Sequence, residues 1–510
     1  MWRVKSLDQI LATAEKKSLR RSLGPIQLTL LGIGAVIGTG IFVLTAEAAQ
    51  KAGPSMMISF IIAGAVCAVA ALCYAELASM VPVAGSAYTY SYAVLGELVA
   101  WLVGWALILE YALGASAVAV GWSGYIVGLL HDFAHFTIPA ALAAGPDGGG
   151  VFNLPAVIIV ALVTGLLVVG TKESASVNAV LVAVKVVALT AFCALTLPMM
   201  HLANFKPFTP MGWGDPLGGS GAGVLGAAAS IFFAYVGFDA VSTAAEETKN
   251  PQRNVPIGLI GSLLICTVFY LLVSAGVTGS FGSQPVFGPH GEHLAAGSLG
   301  LTHRCAEIVG PQPLVCSRQA LAHVLRNTGY PFVGNLVGLA AGFALPSVVL
   351  MMIFGQTRIF FVMSRDGLLW PFLSRVHPRF GTPYVVTMIT GVVVAIAAAL
   401  LPVGKLADIS NAGTLFAFAV VSLAVVILRF TDKTRVRPFR APLLFIVAPL
   451  SIIGCAVLFF SLPLSAKLVF PLWGIAGLGL YFSYGFWRSN VRRGVIENVD
   501  LDEDAPGSPA

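Results

Sequence analysis

Long apolar runs separated by short polar segments dominate the chain. A run of about 20 apolar residues is long enough to cross a bilayer as a helix. The pattern predicts twelve spans, centred on residues 26–46, 56–79, 96–128, 153–170, 178–199, 222–246, 255–281, 332–363, 384–401, 406–429, 441–461 and 468–487. We therefore expect an all-α integral membrane protein with twelve transmembrane helices.

The first apolar run, which contains GIGAVIGTGIF, is unusually rich in glycine. This motif holds four glycines and one threonine, Gly32, Gly34, Gly38, Thr39 and Gly40. Each glycine weakens a helix by roughly 1 kcal/mol relative to alanine. The pattern favours a helix that stops and restarts within the membrane, where the freed backbone groups would bind a polar ligand. The alternative is a close-packing face, since small residues also let transmembrane helices approach each other.

Composition supports the membrane assignment. Of 510 residues, 57% are apolar and 10% are charged, whereas a soluble domain carries about 25% charged residues. The net charge of +6 does not indicate a nucleic-acid partner, because the basic residues lie at the ends of spans. Of 29 lysines and arginines, 21 fall on the side of both termini and 7 on the other. This asymmetry predicts cytoplasmic termini in a multi-pass protein of the cell (inner) membrane.

The sixth span is interrupted as well, at the sequence Ala-Tyr-Val-Gly that begins at Ala234. It lies five spans after the first interruption, and two interrupted helices at matching places in two halves indicate an inverted-repeat transporter. Because five is odd, the second half enters from the opposite side. The predicted segments are a cytoplasmic N-terminal tail 1–25, a first repeat 26–202, a second repeat 203–430 with an external loop 282–330, two further spans 431–487, and a cytoplasmic C-terminal tail 488–510.

The external loop contains two of the seven cysteines, Cys305 and Cys316. On the outer side of the membrane they would face an oxidising compartment. The sequence is compatible both with a disulfide between them and with two free thiols. The segment from Ser317 to Arg326 is expected to form a short helix over the mouth of the protein.

Several longer motifs resemble the amino acid–polyamine–organocation (APC) superfamily. They are GIGAVIGTGIFVLTAEAAQKAGPS from Gly32, YAELASMVPVAGSAYTYSY from Tyr74, FFAYVGFDAVSTAAEETKNPQRNVPIGL from Phe232 and GQTRIFFVMSRDGLLWPFLSRVHPRFGTP from Gly355. The chain is most similar to bacterial relatives of the cationic amino acid transporter (CAT) family, over about residues 20–490. The resemblance implies a 5+5 inverted-repeat (LeuT-like) fold with discontinuous helices 1 and 6. It also implies secondary active transport of an amino acid that binds at the midplane.

Broken helices suit a zwitterion. A half-helix N-terminus offers N–H groups to a carboxylate, and a half-helix C-terminus offers carbonyls to an ammonium group. The resemblance implies that the ammonium group meets carbonyls of both breaks, and Phe233 matches an aromatic residue that closes over substrate in related carriers. Ordinary packing is the alternative for Phe233. The residues expected to bind the amino acid are Val36, Gly38, Thr39, Gly40, Phe233, Ala234 and Val236.

Two ionisable residues lie within spans. Lys185 is roughly 13 Å deep in the fifth span at about 1.5 Å per residue, where a charge costs about 2.5–3.5 kcal/mol. By resemblance to proton-coupled relatives, its ammonium group would contact carbonyls near Gly34 and the hydroxyl of Ser347, and would couple transport to protons. A static buried cation is the alternative. Glu110 in the third span is either a proton relay or a polar anchor.

These residues favour proton-coupled amino acid uptake by alternating access. An obligate exchanger of amino acids or polyamines, or a membrane sensor that does not transport, is the alternative. The absence of a GxxxxGK[ST] motif argues against ATP-driven transport. His131 and His135 have no clear third ligand, so no metal and no cofactor are expected. The expected partners are the amino acid, the proton and the lipid bilayer, while a small accessory membrane subunit remains open.

Overall fold

The computed structural model describes Val4 and residues 23–81, 86–170, 175–245 and 248–494. All regular secondary structure in these residues is helical. Eight stretches of helix within them are long and apolar enough to cross a membrane, and four shorter apolar helices accompany these. The prediction of an all-helical, multi-pass membrane protein is confirmed at this level.

The described residues form eighteen main helices. Those before residue 200 are α1 (Pro25–Val36), α2 (Thr39–Phe42), α3 (Leu44–Ala52), α4 (Met56–Met80), α5 (Ser86–Val94), α6 (Glu97–Ala134), α7 (Leu154–Val169) and α8 (Ala175–Thr196). Those after it are α9 (Gly223–Ile231), α10 (Ala240–Thr243), α11 (Pro251–Ser280), α12 (Leu299–Glu307), α13 (Ala320–Asn327), α14 (Pro331–Arg365), α15 (Tyr384–Leu400), α16 (Val403–Thr431), α17 (Leu444–Ser461) and α18 (Leu464–Leu480).

Shorter helical turns complete the chain. Three have α geometry, Ala140–Ala143, Phe486–Arg488 and Asn490–Arg493. The tighter turns are Gly53–Ser55, Pro146–Gly148, Leu197–Met199, Leu202–Phe205, Phe232–Tyr235, Leu314–Cys316 and Pro371–Ser374, and one wider turn spans Tyr481–Gly485.

Local sequence explains several helix ends. Pro25 is the first residue of α1, where a missing N–H costs nothing. The side chain of Asn153 caps α7 by accepting from the N–H of Ala156 at 3.2 Å. Gly96, just before α6, has a φ of +94°, a conformation that glycine adopts without steric cost.

The longest helix, α6, forms the centre of the packing. It contacts α14 and α16 along much of its length, while α11 packs against α1 and α4. A cluster of aromatic rings fills the space between these helices, and the ring of Tyr74 contacts those of Tyr90, Phe238 and Phe418. The helices that flank the two interruptions are therefore buried inside the bundle.

The loop between α11 and α14 carries two short helices. Cys305, in α12, and Cys316 are joined as a disulfide, which settles the alternative that the sequence left open. Helix α13 covers Ala320–Asn327, close to the helix expected over Ser317–Arg326.

Little of the two expected tails lies within the described residues, which exclude 1–3, 5–22 and 495–510. Near the N-terminal end, the carbonyl of Leu23 accepts a hydrogen bond from the N–H of Lys249 at 2.8 Å.

A buried carboxylate joins helices at one end of the bundle. Glu76 on α4 is 1% exposed and accepts two hydrogen bonds from the guanidinium of Arg429, at 2.8 and 2.7 Å. It also accepts from the N–H of Ala441 at 2.8 Å, and the Nε of Arg437 lies 3.5 Å away. One carboxylate therefore holds α4, α16 and the segment before α17 together.

Replacing Glu76 by glutamine removes the negative charge but keeps the shape of the side chain. We expect the free energy of unfolding to fall by roughly 3 kcal/mol, because two guanidinium groups lose their counter-charge. The measurement is the thermal unfolding midpoint in detergent. The control is Asp147→Asn, which breaks the more exposed pair with Lys405 (2.6 Å) and should cost less than about 1 kcal/mol. Equal losses in the two variants would contradict this explanation.

Candidate substrate site at two helix breaks

The first break separates α1 from α2. Ile37, with a ψ of 95°, and Gly38, with φ −147° and ψ −145°, lie outside helical geometry. The N–H of Ile37 still donates to the carbonyl of Ile33, and regular bonding resumes where Phe42 donates to Gly38 at 3.3 Å. The first N–H groups of α2 therefore have no helical carbonyl upstream of them.

The second break follows α9. A tight turn over Phe232–Tyr235 leads into Val236, which is extended with a ψ of 138°. Gly237 has a φ of +112°, in the left-handed region where a side chain would be strained. Helical geometry resumes at Ala240. Both interruptions expected from the sequence are present in the backbone.

The two breaks touch each other. A Cβ atom on Gly40 would lie 2.3 Å from the Cα of Ala234, and one on Gly237 would lie 3.1 Å from the carbonyl of Ala35. The glycines therefore serve both purposes that the sequence suggested. They accompany a chain break, and they allow close packing at the crossing.

The hydroxyl of Tyr270, on α11, joins the breaks. It lies 2.8 Å from the carbonyl of Val36 and 2.8 Å from that of Ala234. A hydroxyl has one proton, so it donates to one carbonyl at a time. Sequence reasoning missed Tyr270, since its only signal is a single tyrosine in an apolar span.

Other side chains satisfy the remaining carbonyls near the breaks. The amide of Asn411, on α16, donates to Ala229 at 2.7 Å and to Ser230 at 3.0 Å, at the end of α9. The hydroxyl of Tyr125, on α6, donates to Phe42 at 2.8 Å. These donors replace the helical hydrogen bonds that the breaks remove. Sequence reasoning missed both of them.

Thr39 presents a buried hydroxyl at the first break. The residue is 1% exposed, and its oxygen has no hydrogen-bond partner among the residues that the structure describes. A buried hydroxyl without a partner is costly. It lies beside Gly121 of α6, on which a Cβ atom would be 3.0 Å from the threonine oxygen. Thr39 can therefore donate to a bound polar group.

Apolar side chains surround the breaks. Phe233 is 4% exposed and lies near Gly114 of α6, where an added Cβ would be 3.6 Å from its ring and 3.5 Å from the sulfur of Met352. Val348 of α14 lies 3.4 Å from the corresponding position at Gly38. The structure thus brings the seven predicted substrate-binding residues to two adjoining breaks with mainly apolar surroundings.

Lys185 reaches the first break from α8. Its ammonium nitrogen donates to the carbonyl of Gly34 at 2.7 Å, and the residue is 1% exposed. This is one of the contacts that the resemblance implied. Ser347, the other, donates its hydroxyl to Ala344 within α14 at 2.7 Å. A contact between Lys185 and Ser347 stays a prediction.

Two buried acidic residues lie in the same bundle. Glu110 is 1% exposed, and neither carboxylate oxygen has a hydrogen-bond partner in the described part of the chain. Its backbone carbonyl accepts from the hydroxyl of Ser410 at 2.9 Å. The adjacent Tyr111 donates to the carboxylate of Asp239, just after the second break, at 3.2 Å. Helix α6 therefore connects α16 with the second break.

Facing helix breaks inside an apolar bundle, with a buried lysine at one of them, are typical of a membrane transporter. The sequence model of the amino acid permease family matches residues 23–480. The chain belongs to this family, within the APC superfamily.

Individual relatives agree with this assignment. The chain is 43% identical to the branched-chain amino acid permease BcaP of Bacillus subtilis (strain 168), over 97% of this chain and 99% of the relative. It is 41% identical to the methylthioribose transporter of the same organism, over 95% and 97%. It is 38% identical to the chloroplastic cationic amino acid transporter 9 of Arabidopsis thaliana, over 82% and 68%.

The contact between the breaks is testable by adding one methyl group. In Gly40→Ala the new Cβ would lie 2.4 Å from the Cβ of Ala234, and overpacking of this kind costs about 1–3 kcal/mol. We expect uptake of radiolabelled amino acid into proteoliposomes to fall at least about tenfold. Gly165→Ala on α7 is the control, since nothing lies within 4 Å of its added Cβ. Normal uptake by Gly40→Ala would show that the crossing is not needed.

Proposed function

We propose that the protein is a secondary active transporter that takes up an amino acid together with a proton by alternating access. The observation that carries this proposal is the hydrogen bond from the buried Lys185 ammonium group to the carbonyl of Gly34, at the break expected to hold the substrate. The proposed location is the cell (inner) membrane, with both termini in the cytoplasm. The positive-inside distribution of lysine and arginine supports this orientation.

The proposed architecture has twelve spans, of which the first ten form two inverted repeats, 26–202 and 203–430. The eight long and four shorter apolar helices of the described residues are consistent with twelve spans. The two breaks lie in the first and sixth of these spans and touch at Gly40 and Ala234. Such crossings of discontinuous helices are the usual substrate site of inverted-repeat carriers.

In the proposed bound state, the substrate carboxylate accepts from the N–H groups of Gly38, Thr39 and Gly40 and from the hydroxyl of Thr39. The hydroxyl is buried and lacks another partner in the described residues, so the ligand would satisfy it. The ammonium group donates to carbonyls at the ends of α1 and α9, and Phe233 covers the ligand. The carbonyls come from Val36, Phe233, Ala234 and Val236.

The proposed substrate is a neutral amino acid with a small or branched apolar side chain. Phe233, Met352 and Val348 offer apolar contacts beside the breaks. The relative named for branched-chain amino acids supports this choice, since it is more similar to this chain than the cationic amino acid transporter 9 reported above, at 43% against 38% identity. Thermal-shift measurements with each of the twenty amino acids would identify the ligand. Stabilisation by arginine or lysine alone would contradict the proposal of a neutral substrate.

Lys185 is the proposed proton-coupling residue. When protonated, its ammonium group holds the carbonyl of Gly34, two residues before Val36. Loss of the proton would remove the charge from this hydrogen bond and weaken it, which would allow the break to rearrange. One charge that crosses 100 mV supplies about 2.3 kcal/mol, which supports accumulation of roughly 40-fold. Glu110 is the proposed relay, and Ser347 a further partner of Lys185.

Lys185→Ala tests the coupling. We expect uptake driven by an imposed pH gradient to be abolished in proteoliposomes, while exchange of internal for external amino acid continues, because exchange needs no net proton movement. The control is Lys405→Ala, which removes a more exposed lysine that pairs with Asp147. If the Lys185 variant kept its pH-driven uptake, the lysine would be a static buried cation.

The same assay separates the alternatives. An obligate exchanger would take up substrate only when the vesicles contain amino acid, whatever the pH gradient. A sensor would be stabilised by an amino acid in melting experiments and would show no flux. Net uptake into empty vesicles that depends on the gradient is the result expected here.

A further inference from the structure

A groove of about 570 Å³ lies between the first turns of α11 and the segment that precedes α17. Pro256, Ile257 and Ile260 line it from α11, and Pro438 and Phe439 line it from the opposite wall. All five of these side chains are apolar. The groove is separate from the candidate substrate site, because its wall shares no residue with the two helix breaks.

The groove continues into an apolar face of α11, which is long and apolar enough to cross a membrane. The exposed side chains of this face include Ile257, Leu264 and Val268. Exposed apolar residues on a membrane-spanning helix face the lipid hydrocarbon. Arg253 lies one turn before Ile257, about 6 Å along the helix axis at 1.5 Å per residue. Arg253 is therefore at the end of the apolar face, at the level expected for lipid headgroups.

Arg253 is the ionisable residue of the groove wall. It is exposed, and its guanidinium makes no hydrogen bond or ion pair with the described residues. Lys249, just before α11, and Arg440, next to Phe439, are also exposed and unpaired within the described part of the chain. A guanidinium group can bind phosphate oxygens through two parallel N–H···O hydrogen bonds. The groove thus combines apolar walls with an unused positive charge at one end.

The wall opposite α11 is held in place by α4. The N–H of Phe439 donates to the hydroxyl of Ser79 at 3.3 Å, and the N–H of Ala441 donates to the carboxylate of Glu76 at 2.8 Å. These hydrogen bonds fix the segment before α17 through contacts within the protein. The groove is therefore formed before any ligand enters it, as is usual for binding sites of small molecules.

The same turns of α11 pack against α1 through two glycines. A Cβ atom on Gly258 would lie 2.8 Å from the Cβ of Leu28. A Cβ atom on Gly261, which also lines the groove, would lie 3.4 Å from the hydroxyl oxygen of Thr29. A molecule in the groove would therefore contact the turns of α11 that support the helix leading to the first break.

We propose that this groove binds an anionic phospholipid, with the phosphate at Arg253 and an acyl chain along Ile257 and Ile260. A soluble anion would leave the apolar walls without contacts, and a lipid without net charge would leave the arginine without a counter-ion. The proposed orientation places the groove in the cytoplasmic leaflet, where anionic headgroups attract lysine and arginine. This inference concerns the surrounding lipid and does not depend on the proposed transport of amino acids.

The test follows the melting temperature of the purified, full-length protein in detergent as phosphatidylglycerol is added. We expect a saturable rise, because a ligand that binds only the folded state stabilises it by mass action. Phosphatidylcholine with the same acyl chains should bind more weakly, since its quaternary ammonium group offsets the phosphate charge. Inorganic phosphate should cause no saturable rise, because it has no acyl chain to fill the groove.

Three variants locate the binding site. Arg253→Gln should weaken the apparent affinity for phosphatidylglycerol at least about tenfold, because hydrogen bonds to a charged group are lost. Ile257→Trp keeps the arginine but places an indole ring in the groove, and it should weaken binding by a similar factor. Arg375→Gln is the control, since it removes an exposed arginine that lies outside the groove wall. It should leave the affinity unchanged.

Several results would overturn the lipid site. Equal affinities for phosphatidylglycerol and phosphatidylcholine would show that the charge is not recognised, and stabilisation by inorganic phosphate would identify a soluble anion as the ligand. Unchanged affinity in Arg253→Gln or Ile257→Trp would place the lipid elsewhere. Equal losses in Arg253→Gln and Arg375→Gln would indicate general surface charge. Each of these failures would leave the proposed transport function in place, because none of them measures amino acid uptake.

Discussion

Backbone polar groups in the interior of a membrane protein must find partners, and the two helix breaks of this protein depend on that requirement. In hydrocarbon each unpaired N–H or carbonyl costs several kcal/mol. Side chains from neighbouring helices provide hydrogen-bond partners for several of these backbone groups. Tyr270, Asn411 and Tyr125 each approach carbonyls beside the breaks. Among the described residues, the hydroxyl of Thr39 has no hydrogen-bond partner, and the first N–H groups of α2 have no helical carbonyl upstream of them. These are the groups at which we propose that the ligand binds.

The location of the breaks was predictable from sequence, because glycine is a local signal. Four glycines within one apolar run disfavour a continuous helix, and Gly237 adopts a positive φ that other residues avoid. The positions of Val36, Thr39 and Phe233 followed from these signals and from the family resemblance. The disulfide between Cys305 and Cys316 was left open, since two cysteines in one loop do not reveal how the loop folds.

The residues that complete the breaks were not predictable, because their roles depend on contacts across the fold. Tyr270 is separated from Val36 by 234 positions in sequence, and Asn411 from Ala229 by 182. The sequence around a tyrosine or an asparagine in an apolar span does not indicate which carbonyl its side chain will hydrogen-bond. The sequence pattern therefore predicts where the helices break, whereas the hydrogen-bond partners of the breaks are long-range contacts that only the structure reveals.

The same constraint links binding to coupling in the proposed mechanism. The carbonyl of Gly34 accepts from Lys185, while the carbonyl of Val36, half a turn away, accepts from Tyr270. A change of charge on Lys185 would alter the hydrogen bonding of the last turn of α1, which also forms part of the proposed ammonium site.

The most direct test is an experimental structure of the protein in lipid nanodiscs with its amino acid bound. The account predicts the carboxylate within hydrogen-bond distance of the Thr39 and Gly40 amides, and the ammonium group at the carbonyls of Val36 and Ala234. Two results would contradict the account. One is a pair of continuous helices through both regions, and the other is an amino acid bound elsewhere while the two breaks pack directly against each other.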